Sequence, residues 1–143
     1  MPTLATLLLF FVLPGAALAD GPSLAGVALG DPLGQAVPVL GDPVAVKPLG
    51  KGASIVFFHG ASVTVETEGK TIRQVTLEAP GPAGFQGVAV GGTRADVDRA
   101  FSGLKWRRQG DAAVAVFHGT GWAAVFAVDA ATGQVRSIAL AYR

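Results

Sequence analysis

Cysteine is absent from the 143 residues, and histidine occurs only twice, as His59 and His118. The missing thiols exclude disulfides, cysteine nucleophiles, cysteine-based zinc and iron–sulfur sites, and the lipidated cysteine of bacterial lipoproteins. Charged residues make up only 15% and the net charge is +1, so no overall field attracts polyanions such as nucleic acid. The hydrophobic fraction of 50% excludes sustained disorder and indicates one compact domain or two very small ones.

The first nineteen residues have the pattern of a signal peptide. Residues 4–13 are apolar except for Thr6, and residues 17–19 supply the small-x-small pattern that a signal peptidase cleaves, here before Asp20. The apolar run is about ten residues, whereas a membrane-spanning helix needs roughly twenty. We therefore predict export, a mature chain in the periplasm or outside the cell, and no integral membrane segment after cleavage.

The mature chain contains an internal repeat. Three blocks recur in the same order, with offsets of 59 to 63 positions. First copy before second, the blocks are 26–30 and 87–91, 56–60 and 115–119, and 72–77 and 135–140. The Pro/Gly-rich residues between the copies indicate a short, stiff linker. We therefore predict a first repeat over 20–80 and a second over 81–143.

Each repeat is predicted to be a short helix packed on a three-stranded antiparallel β-meander, which gives an α+β fold. In the second repeat, Thr93 can cap a helix with Asp96 at its third position, and Val97, Ala100 and Phe101 then share one face.

The first repeat offers Asp31 and Pro32 as N-cap and first helical residue. Pro38 lies inside the predicted helix, where proline costs about 3 kcal/mol. We therefore expect this helix to be short or kinked.

The predicted strands follow alternation of apolar and polar residues. Residues 62–66 alternate strictly, which places Val63 and Val65 in the core. Residues 122–128 do not alternate, so both faces of this strand are apolar. Such a strand lies either inside the packed core or on an exposed face that takes a partner.

The unit of a Gly-flanked apolar block, a short helix ending near 40–43 and three strands resembles the repeats of β-lactamase-inhibitor-protein-like domains and of small outer-membrane-assembly (SmpA/OmlA) domains. The most specific string is 30–43. The resemblance implies two repeats whose sheets form a concave surface that grips a partner.

Lys105, Trp106, Arg107 and Arg108 form the most informative polar cluster. Residues 20–80 carry four basic and six acidic residues, whereas 81–143 carry seven and four, so the basic character belongs to the second half. Trp and Arg dominate the energetics of protein interfaces. This cluster, with Trp122, is therefore the candidate contact surface for a protein partner or an anionic envelope component. The alternative is a solvated loop with Trp106 packed on the core.

The two histidines occupy equivalent positions of the repeat, and pseudo-twofold packing would bring them together as a metal or small-ligand site. No third ligand keeps a regular spacing with either of them. No nucleophile–base–orienter set has a recognisable spacing either. The sequence thus predicts an exported, non-enzymatic, protein-binding module without a cofactor, with a metal or small-ligand carrier as the alternative.

Overall fold

The structure, a computed structural model, describes residues 22–80 and 84–142, so the predicted signal peptide lies outside the described residues. Short strands are its main elements. In chain order the elements are β1 (Ser23–Leu24), β2 (Val27–Ala28), a 3-10 helix (Leu33–Gln35), α1 (Val37–Leu40), β3 (Ala45–Gly50), β4 (Ala53–Phe58), β5 (Ala61–Glu66), β6 (Ile72–Leu77), β7 (Gly84–Phe85), β8 (Val88–Ala89), α2 (Arg94–Ala100), β9 (Arg107–Gln109), β10 (Ala112–His118), β11 (Trp122–Asp129) and β12 (Val135–Tyr142).

Eight of the strands form one antiparallel sheet in the order β9-β10-β11-β12-β6-β5-β4-β3. The middle of this sheet is the pairing of β12 with β6, in which Ile138 lies opposite Leu77 and Leu140 opposite Val75. The strands β1–β2 and β7–β8 form two separate two-stranded hairpins. Each half of the chain thus contributes four consecutive strands to a common sheet.

The predicted α+β fold of two tandem repeats is wrong. The described chain is mostly β-structure, and its single large sheet runs through both halves rather than being divided between two small helix-on-meander units. Two segments outside the predicted three-stranded meanders form additional strands, β3 and β9, at the two edges of the sheet. The helical segments are only three, four and seven residues long, so they are minor elements.

The cap of α2 is confirmed. The Thr93 side chain accepts a hydrogen bond from the Asp96 backbone N–H, and the Asp96 carboxylate accepts one from the Thr93 N–H. Val97 and Phe101 are buried as predicted, but Ala100 is exposed.

The first helical segment is short, as expected from Pro38, which lies in the first turn of α1. The predicted cap by Asp31 is wrong, because Pro32 precedes the 3-10 helix and no side chain caps it. Within the described ranges, no helix combines the length and the apolar composition that crossing a bilayer requires.

The core lies on one face of the sheet. Val63 and Val65 are buried there as their alternation predicts. Side chains from the two hairpins and from α2 cover this face, among them Leu24, Val27, Phe85, Val97 and Phe101. The buried residues of the four central strands are Ala61, Val63, Val65, Ile72, Val75, Leu77, Ala124, Phe126, Val128, Val135, Ile138 and Leu140.

The opposite face of the sheet lies outside this core and is here called the open face. On β11 the residues Ala124, Phe126 and Val128 are buried, whereas Ala123, Val125 and Ala127 are only half-buried on the open face. The missing alternation of 122–128 therefore reflects a strand with one face in the core and one apolar face outside it.

Phe126 joins the sheet to its cover, because its ring lies 5.2 Å from that of Phe101 and 6.5 Å from that of Phe85. We expect Phe126→Ala to lower the free energy of unfolding by about 3–5 kcal/mol, through lost burial and a residual cavity. Phe57→Ala, at a half-buried position on the open face, should cost about 1 kcal/mol. Urea denaturation of both variants measures the difference, and equal losses would contradict this assignment of the core.

Candidate functional site

The four residues of the basic cluster lie at one edge of the sheet. Arg107 and Arg108 belong to the edge strand β9, and Lys105 and Trp106 lead into it. The three cationic side chains are exposed, and Trp106 is half-buried. We call Lys105, Arg107 and Arg108 the basic edge.

Successive residues of the cluster point to opposite faces, as they do in a strand. Lys105 and Arg107 line a groove of about 420 Å³ together with Val116 and His118. This basic groove opens on the open face, where Arg107 lies opposite Val114 in the register. The groove combines two cations with an apolar side chain, because Val116 is 38% exposed and faces into it.

Trp106 and Arg108 lie on the other side of the edge strand, next to α2. Both line a cavity of about 270 Å³, and Arg94, Arg107 and Asp129 also contribute to its lining. The indole Nε1–H of Trp106 donates a 2.9 Å hydrogen bond to Asp98 Oδ1, and the Arg94 guanidinium lies 4.6 Å from the centre of the indole ring. Trp106 therefore holds the chain before β9 against the helix.

The arginines of β9 differ from the other described arginines in their ion pairing. In residues 22–80 and 84–142, every arginine except Arg107 and Arg108 has a carboxylate within 4.0 Å, and Lys105 has none. The pairs are Arg73 with Glu66, Arg94 with Asp98, Arg99 with Asp96, and Arg136 with both Asp111 and Asp129. Adjacent cations that form no ion pair within the described ranges leave several of their hydrogen-bond donors free for an anionic group.

The turn that follows β9 is fixed to the centre of the sheet. Arg136, on β12, donates two 3.0 Å hydrogen bonds to the carboxylate of Asp111 in that turn. The Arg136 side chain holds the pKa of Asp111 below its ordinary value, and Asp111 in turn raises the pKa of Arg136. The Arg108 Nε–H also donates to the Gly110 carbonyl oxygen at 2.8 Å, which restrains this side chain.

Asp129 organises the turn between β11 and β12. Its Oδ1 accepts hydrogen bonds from the backbone N–H groups of Ala131 and Thr132, at 2.9 and 3.0 Å. The Thr132 N–H, followed by that of Ala131, holds the pKa of Asp129 below its ordinary value. Asp129 also lies 3.6 Å from Arg136, so it belongs to the ionic network behind β9.

Trp122 does not join the basic edge. Trp122 begins β11, whereas Arg107 is level with Ala127 of that strand. Ala127 lies five residues after Trp122, which is about 17 Å at 3.4 Å per residue. The Trp122 ring packs edge-on against Phe85 at 5.7 Å and lies 5.9 Å from Phe117. It also covers Gly119, where a Cβ atom would collide with the indole.

The structure does not bring His59 and His118 together. His118 ends β10 and His59 lies in the turn after β4, and four strands separate β10 from β4. The five steps from β10 to β4, at about 4.8 Å each, make this separation about 24 Å. In the described part of the chain, no three His, Asp or Glu side chains are grouped so that they could hold a metal ion.

No family model and no curated protein sequence matches the chain. The solved structures that are similar in fold include the following two. An extracellular protein containing a SCP domain from Bacillus anthracis str. Ames has a TM-score of 0.63 at 9% identity, over 93% of this chain and 50% of that one. A cysteine-rich secretory protein from Staphylococcus aureus subsp. aureus Mu50 has a TM-score of 0.61 at 12% identity, over 87% and 49%.

The likeness is one of fold. This chain spans about half the length of either neighbour. The relationship to β-lactamase-inhibitor-like and outer-membrane-assembly domains that the sequence resemblance suggests stays a prediction.

Sequence reasoning identified the basic edge but missed the residues that support it. Arg94 and Asp98 are four residues apart on α2, a spacing that could have indicated their ion pair. Arg136 and Asp111 are 25 residues apart and meet only because β12 and β10 flank β11. No local pattern carries that contact.

We predict that Trp106→Phe lowers the free energy of unfolding by about 1 kcal/mol, because the hydrogen bond to Asp98 is lost. In a double-mutant cycle with Asp98→Ala, the Trp106→Phe substitution should then cost nearly nothing, since its partner is already gone. Chemical denaturation of the four proteins measures this coupling. Additive losses would show that the indole N–H contributes nothing.

We also predict an acid dependence that Asp129 contributes. Its pKa in the folded state is lowered, so its stabilising contribution is complete above the unfolded-state pKa of about 3.9 and is lost as the pH falls through the lower folded-state value. Asp129→Asn should flatten the fall in urea midpoint between about pH 5 and pH 2. Asp42→Asn, at an exposed residue without an ion pair in the described chain, is the control; flattening of equal size in both variants would contradict the prediction.

Proposed function

We propose that this chain is an exported, non-enzymatic binding module whose basic edge contacts an acidic surface of a partner protein. The observation that carries the proposal is that, within residues 22–80 and 84–142, Arg107 and Arg108 on an exposed edge strand form no ion pair with a carboxylate, while the other arginines of these ranges do. Arginine presents a planar set of donors that matches carboxylates, and it is enriched in interface hot spots.

Export is supported by two observations. Residues 1–19 have a signal-peptide pattern, and both similar structures are described as extracellular or secretory proteins, which fits a secreted location. The periplasm and the extracellular space are both compatible with them.

In this proposal the predicted site residues have different tasks. Lys105, Arg107 and Arg108 are exposed and make the contact with the partner. Trp106 positions them, because its indole is bound by Asp98 and covered by Arg94. Trp122 stabilises the aromatic cluster instead.

The test is charge reversal with a matched control. The triple variant K105E/R107E/R108E reverses the basic edge, whereas K47E/K51E/K70E changes the net charge equally in the other half of the chain. The wild type and the two variants are immobilised and offered envelope and secreted proteins, with mass spectrometry as the readout. We expect an acidic protein to be retained by the wild type and the control, and to bind the reversed edge at least tenfold more weakly.

A partner that binds the reversed edge as well as the wild type contradicts the proposal, and so does one that both variants lose equally. Retention of an anionic polymer rather than a protein would instead assign the basic edge to an envelope component. Circular dichroism of all three proteins confirms that each is folded. Raising the salt concentration should release the partner, because it shortens the screening length from about 8 Å at physiological ionic strength to about 3 Å at 1 M and so weakens the attraction between exposed charges.

A further inference from the structure

Resting on the proposed function, we infer that the partner binds by strand addition: an extended acidic segment pairs with β9 and becomes a ninth strand of the sheet. Strand addition uses main-chain hydrogen bonds for affinity and alternate side chains for specificity. The failure of this binding mode is separable from the failure of the basic edge itself, as the experiment below shows.

The two edges of the sheet differ in their ability to accept a strand. The edge strand β3 contains Pro48, which has no N–H to donate, and an irregularity in its pairing between Pro48 and Gly50. Proline and bulges are devices that block edge-to-edge pairing. The edge strand β9 has neither, since Arg107, Arg108 and Gln109 pair with β10 in continuous register.

The backbone of β9 offers hydrogen-bonding groups on its outer side. Gln109 and Ala112 flank a two-residue turn, and Arg107 lies opposite Val114 two positions earlier. In such a hairpin these two pairs are the hydrogen-bonded ones, so the N–H and C=O of Arg108 between them point away from β10. Within residues 22–80 and 84–142, no backbone hydrogen bond outside the regular strands reaches 104–109.

The side chains of the basic edge specify the charge of the added strand. Lys105 and Arg107 line the basic groove on the open face, and Arg108 lies on the other face. Residues directly opposite each other on paired strands interact, and opposite charges stabilise the pair. A segment with acidic residues at alternate positions therefore places one carboxylate over Arg107 and the next near Lys105, which lies two residues before Arg107 on the same groove.

The probe is a capped hexapeptide of alternating glutamate and threonine, with affinity measured by fluorescence anisotropy on the full-length protein. Two further peptides carry N-methyl groups on one or the other alternate set of residues. A strand directs only one of these sets of N–H groups at its neighbour. We expect one methylated peptide to bind at least tenfold more weakly and the other to bind like the parent.

A pair of protein variants tests the same contact from the other side. Arg108→Ala removes the charge and keeps the outward N–H, whereas Arg108→Pro removes both. We expect the proline variant to bind the hexapeptide at least tenfold more weakly than the alanine variant. If the proline variant fails to fold, the methylated peptides still decide.

Three outcomes overturn strand addition. They are no binding of the parent hexapeptide to the wild type, equal binding of both methylated peptides and the parent, and equal binding of the two Arg108 variants when both are folded. If methylation has no effect while K105E/R107E/R108E loses the peptide, the basic edge stands and only the binding mode is wrong. Loss of the peptide with K47E/K51E/K70E instead would overturn both.

Discussion

The pairing of β12 with β6 is the contact on which the rest of the molecule depends. It places Ile138 beside Leu77 and Leu140 beside Val75, all buried, so that the apolar faces of two four-stranded halves become one surface. Each half alone would leave a strand edge and part of an apolar face in water. The two hairpins, α2 and the aromatic cluster around Phe126 then cover a common core.

The local features of this fold were predictable because their causes lie within a few residues. Strict alternation placed Val63 and Val65 in the core, and the spacing of Thr93 and Asp96 indicated the cap of α2. The proline in α1 correctly indicated a short helix. The cluster of cations around Trp106 was also visible in the sequence, although not its place on an edge strand, since a run of cations with a tryptophan needs no three-dimensional information.

The global features were not predictable because they depend on contacts between distant residues. Nothing near Val75 or Leu140 shows that β6 and β12 are neighbours, so a sheet shared by both halves was read as two units. The edge strands were missed for a different reason: all residues of β3 and β9 are exposed, and without a buried face they lack an alternating pattern. That Arg107 and Arg108 form no ion pair within the described residues likewise depends on which strands are neighbours, so it could not be read from the sequence.

Pro48 has a consequence for self-association. Two open edges on one sheet let copies join head to tail, and such contacts continue into filaments when the rotation between copies does not close a ring. In this chain the β3 edge carries the proline and the irregular pairing, so a copy presenting β3 is a poor match for the β9 edge of another. When a strand binds β9, the other edge of the sheet is β3. Its proline and irregular pairing hinder the addition of a further copy, so the sheet does not extend into a fibre.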